Sequence, residues 1–89
     1  MINKHLIIQF GLKIRKLREE KSLSQEKLSF LTGFHRTYIG MIERGERNIS
    51  LTHMAVFAKV FELNLSELLD FEIENSFLKY QTKAQNNVK

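Results

Sequence analysis

Apolar residues recur along this chain at every third or fourth position without strict alternation, a period that predicts helices and no strands. Phe10, Ile14 and Leu17 form the inner face of a first helix, which Asn3 can start and which runs to about Lys21. Lys13, Arg15, Lys16 and Glu20 then point outward. Leu6, Ile7 and Ile8 are more apolar than one face requires, and are candidates for the base of the core or for a contact between two copies. Ser24 has the chemistry of an N-cap, and Leu23 and Leu28 around it have the spacing of a hydrophobic staple, so a second helix starts here. Leu28 and Leu31 share its inner face. Gly33 ends it, because glycine takes the left-handed conformation without a Cβ penalty. A third helix starts at His35 or Arg36, turns Ile39 and Ile42 inward and stops at Gly45. That phase leaves Arg36, Thr37, Gly40, Met41 and Arg44 on or near its outer side.

Ser50 is the next cap, and Leu51, Met54, Ala55, Phe57, Ala58 and Phe61 mark a well-buried fourth helix to about Glu62. Asn64 suits the break that follows, and Ser66 caps a fifth helix containing Leu68, Leu69 and Phe71. Leu65, Leu69, Ile73, Phe77 and Tyr80 keep the helical spacing, so this helix either continues to about Gln81 or breaks near Glu74 into a sixth. The expected division is a folded binding and dimerisation domain over 1–81 and a polar, disordered tail over 82–89. The fold class is therefore all-α, with five helices and a possible C-terminal helical extension.

At 89 residues the chain is one small domain with little core to spare, which a partner subunit would relieve. The apolar excess at Leu65, Phe71, Ile73 and Phe77 is a candidate dimer interface. No segment approaches the length of a membrane span, and Leu6 to Ile8 is too short for a signal-peptide core, so the cytoplasm is the expected compartment. The absence of cysteine fits a reducing compartment.

Charge adds direction to this picture. From Met1 to Ser50 there are ten Lys and Arg against five Asp and Glu, whereas from Leu51 to Leu78 there is one base, Lys59, against five acids. A basic front half and an acidic back half suit a molecule that offers one side to phosphates. Chemistry of other kinds finds no footing. His5, His35 and His53 lack ligand spacing, Glu19-Glu20 resembles a solvated helix face, and no nucleophile stands beside a base. Neither an enzyme, a cofactor, a metal site nor a small-molecule ligand is expected.

A helix with Arg, Thr and Tyr in its exposed first turn suits a DNA major groove, where Arg donates two hydrogen bonds to guanine and Thr reaches a base or a thymine methyl. Two short helices joined by a glycine turn also occur as a plain hairpin. Here, however, Ser24-Gln25-Glu26, Gly33, Ile39 and Ile42-Glu43-Arg44-Gly45 together resemble the helix-turn-helix family of the phage lambda repressor and Cro, over about Phe10 to Leu69. Within it, Arg36-Thr37-Tyr38-Ile39 followed by Arg47-Asn48 looks like the controller proteins of restriction-modification systems.

That resemblance implies a transcriptional regulator that binds a palindromic double-stranded DNA operator as a homodimer. It implies base reading by Arg36, Thr37 and Met41, and phosphate contacts from Ser24, Gln25, Tyr38, Arg44, Arg47 and Asn48. It also implies a structural salt bridge between Arg18 and Glu43. Gly40, where relatives usually carry a side chain, departs from the pattern, as do His35 as a cap and Lys27 in place of a capping-box acid. The alternatives are a phage-type repressor, an antitoxin repressing its own operon, or a protein-interaction module using the acidic C-terminal half.

Overall fold

The computed structural model describes residues 4–72, and among them every regular element is a helix. In chain order these are α1 (Lys4–Glu20), α2 (Gln25–Thr32), α3 (Arg36–Glu43), α4 (Leu51–Val60) and α5 (Leu65–Leu68). Ser24 Oγ accepts from the Lys27 amide and Ser50 Oγ from the His53 amide, so hydroxyl caps start α2 and α4. His35 caps α3 through Nδ1, which accepts from the Thr37 amide at 3.1 Å. Gly33 ends α2 at φ +80°, and Gly45 follows α3 at φ +72°.

The core is Phe10 and Ile14 of α1, Leu28 of α2, Ile39 and Ile42 of α3, Phe57 and Ala58 of α4, Phe61 and Leu68. α3 packs against both α1 and α2, and α4 against α2 and α5. The α1–α3 approach depends on Gly11. A Cβ there would overlap the Ile42 carbonyl oxygen and lie 2.9 Å from that of Glu43, so only glycine lets the two backbones meet.

Several expectations are corrected. Leu31 does not share the inner face with Leu28, being 45% exposed. The next inward position of α2 is Thr32, four residues on, whose hydroxyl donates back to the Leu28 carbonyl at 2.8 Å. Leu51 is 64% exposed and Ala55 is also exposed, so α4 buries a narrower stripe through Phe57 and Ala58. Lys13 does not simply face solvent: it is half-buried and its Nζ donates to the Asp70 carbonyl.

Ser66 does not cap α5. Asn64 does, accepting from the Glu67 amide at 2.8 Å while the Glu67 carboxylate accepts from the Asn64 amide at 2.9 Å, and this reciprocal box starts the helix two residues earlier. α5 ends at Leu68 instead of extending through Phe71, which lies in a bend and packs partly buried on the core. The sixth helix and the 82–89 tail fall outside the described residues, as do Asn3 and the interface candidates Ile73 and Phe77.

Candidate nucleic-acid interface

The site is built on one buried ion pair. Arg18 of α1 donates from Nε to Glu43 Oε2 at 2.7 Å and from Nη2 to Oε1 at 3.0 Å, while its Nη1 donates to the Leu23 carbonyl at 2.8 Å. Gln25 Nε2 donates to Glu43 Oε1 at 3.0 Å. One carboxylate therefore ties α1, α2 and the end of α3 together. Only 3% of the Glu43 side chain and 12% of the Arg18 side chain are exposed. The hydrogen bond to Glu43 holds the Arg18 guanidinium above its usual range, outweighing the opposite effect of burial.

With its inner side held by Ile39 and Ile42, α3 presents Arg36 and Thr37 to solvent at its N-terminus. Among the described residues Arg36 pairs only with Glu26, at 4.0 Å, and 65% of its side chain is exposed, so its guanidinium is available. Met41 is half-buried beside this face. Ser24 is exposed at the start of α2, where backbone NH groups left over by the first turn can receive an anion. Gln25 is half-buried and has its amide nitrogen committed to Glu43.

Tyr38 sits in an aromatic cluster. Its ring meets Phe34 edge-on at 5.3 Å, its hydroxyl shares a 2.7 Å hydrogen bond with His53 Nδ1, and the Arg47 guanidinium lies 5.3 Å from its ring centroid. Burial pushes the Tyr38 phenol above its usual range, with the nearby Arg47 charge acting in the opposite direction. Arg47 and Asn48 are both exposed beyond α3. Arg44 is exposed but engaged, its Nε and Nη2 donating to the two oxygens of Glu46 at 2.9 and 3.1 Å.

Sequence reasoning missed this last pair and the links from Phe34 and His53 to Tyr38. The spacing of His53 from Ser50 marks it as a helix residue but carries no sign that it faces α3. Gly40 also corrects the expectation of an outward position: it is buried beneath Arg44 and Gln25. Leu65 and Phe71 are partly buried against the core.

A short helix-turn-helix, clamped from behind by α1 and flanked by α4, defines a repressor-type DNA-binding class of domain. The helix-turn-helix family model matches residues 14–68. The control protein C.BamHI of Bacillus amyloliquefaciens is 49% identical over 63 residues, covering 70% of this chain and 78% of that protein. The crystal structure of the controller C.AhdI from Aeromonas hydrophila is similar at a TM-score of 0.67 and 44% identity, covering 70% of this chain and 94% of that one. The tetramer of C.Esp1396I, solved with its natural 35 base-pair operator, is similar at a TM-score of 0.65 and 33% identity, covering 72% of this chain and 88% of that one. The chain belongs to the helix-turn-helix family, among relatives that are controller proteins of restriction-modification systems. It is thus a member of a regulator family, not of an enzyme family.

Proposed function

We propose that the chain is the controller protein of a restriction-modification system, binding a roughly palindromic operator as a homodimer. The observation that carries this reading is the exposure of Arg36 and Thr37 at the N-terminal end of a helix fixed by Arg18 and Glu43. Arg36 reads a guanine edge in the major groove, Thr37 reads a neighbouring base, and Met41 adds apolar contact with a thymine methyl. The free NH groups at the start of α2, with Ser24, and the side chains of Arg47 and Asn48 meet backbone phosphates and fix the register.

Gln25, already bonded to Glu43, supports α3 and contributes at the phosphate edge through its position, and Tyr38 does so through the ring over which Arg47 lies. The operator complex of C.Esp1396I supports binding by several copies together. A second copy is also favoured by an apolar cavity of about 280 Å3 lined by Leu6, Phe10, Met54, Leu69 and the candidate interface residue Phe71, together with Arg47 and Asn48.

Selection of bound sequences from random duplex DNA tests this function. The expected product is a two-fold symmetric site whose half-sites lie about one helical turn apart, 34 Å. Recovery of random sequence, or of single half-sites only, would overturn it. The neighbouring genes test the biological assignment, which requires an endonuclease and a methyltransferase beside this one.

A further inference from the structure

Arg36, Thr37 and Arg44 fall within an arc of about 100° on the outer side of α3, since successive residues turn by about 100°, and the buried Gly40 lies within that arc beneath Arg44. Arg44 therefore closes the far end of the face that Arg36 and Thr37 open. Its guanidinium lies back over the helix. A Cβ placed on Gly40 would sit 3.1 Å from Arg44 Nη1 and 3.7 Å from Gln25 Oε1, so the missing side chain is the space that the arginine uses. From the other side Glu46 grips it with both carboxylate oxygens, at 2.9 and 3.1 Å.

Both partners remain open to solvent, with 58% of the Arg44 side chain and 51% of the Glu46 side chain exposed. The fork of two NH donors that meets this carboxylate is the same fork that meets a phosphate.

We infer that Glu46 is an internal stand-in for a DNA phosphate: it occupies the Arg44 guanidinium in the free protein and must be displaced before Arg44 can bind the backbone. This inference rests on the proposed DNA-binding function and adds a regulating residue to it. An exposed pair is weak enough to exchange, and a duplex offers a dense row of phosphates in place of one carboxylate. The pair therefore lowers binding to any duplex alike, specific or random, and restrains residence on non-operator DNA.

The test is fluorescence anisotropy with operator and random duplexes over a range of salt, using wild type, E46Q, R44A and the double variant. E46Q should tighten both duplexes by about two- to fivefold, the range set by an exposed ion pair. It should also steepen the salt dependence by about one unit, the signature of one further phosphate contact. In the double variant the gain should vanish. Unchanged or weaker binding by E46Q would overturn the inference, as would a gain that persists without Arg44, because that is the effect of net charge alone. Wild type that binds no duplex would overturn the proposed function and this inference with it, whereas wild type that binds with no E46Q gain removes only the inference.

Discussion

Arg36, the proposed base reader, has no structural duty among the described residues: its nearest charged partner there is 4.0 Å away and neither group is buried. Arg36→Ala should therefore leave thermal unfolding unchanged while costing about 1 to 3 kcal/mol of operator binding and relaxing one position of the site, as read by competition with mutated duplexes. Glu43 is the opposite case. Its removal strands Arg18, at 12% exposure, without a counter-charge. Glu43→Ala should cost about 3 to 5 kcal/mol of stability in urea unfolding, because a buried charge is left uncompensated.

The outward placement of Arg36 and Thr37 was legible because Ser24, Gly33 and the Ile39–Ile42 pair fix where α3 begins and which way it faces. The Arg44–Glu46 and Tyr38–His53 contacts were not. They depend on how the loop after Gly45 returns and on the phase of α4 against α3, and no local pattern encodes either.

At the level of elements, caps were the clearest signals and inner faces the least clear. Ser24 and Ser50 each start a helix where a hydroxyl acceptor precedes an apolar stretch. A cap of the same kind at Ser66 was misassigned, because Asn64 with Glu67 forms the complete reciprocal box and outcompetes a lone hydroxyl. Leu31 was misplaced since an eight-residue helix buries too little of its surface for spacing alone to decide between neighbouring positions.

The contact between α1 and α3 was likewise invisible to periodicity. Gly11 carries no hydrophobic signal, yet its bare backbone sets how deeply α1 seats behind α3. Gly11→Ala should destabilise the fold by about 1 to 3 kcal/mol, since the added methyl meets backbone carbonyls and no flexible side chain can move aside. A thermal denaturation scan checks this, and an unchanged midpoint would show that the helices separate at no cost.

For the whole molecule the balance of charge and core size matters most. Ten basic residues against five acids in the first fifty are followed by one base against five acids over 51–78, and the candidate site residues Arg36, Arg44 and Arg47 all lie in the basic half. The core within residues 4–72 consists of nine buried apolar side chains. An assembly of two copies would enlarge it and would join two weak half-site contacts into one strong one. Sedimentation equilibrium should give a dimer at high micromolar concentration, and a monomer throughout that range would contradict the assembly.

The arrangement as a whole comes down to whether α3 enters a major groove led by Arg36. Methylation of guanine N7 by dimethyl sulfate reports on that groove directly. Wild type bound to its selected operator should protect one symmetry-related guanine in each half-site, and Arg36→Ala should lose protection there while keeping it elsewhere. Guanines left fully reactive under saturating protein, or a pattern identical in the two proteins, would contradict the account.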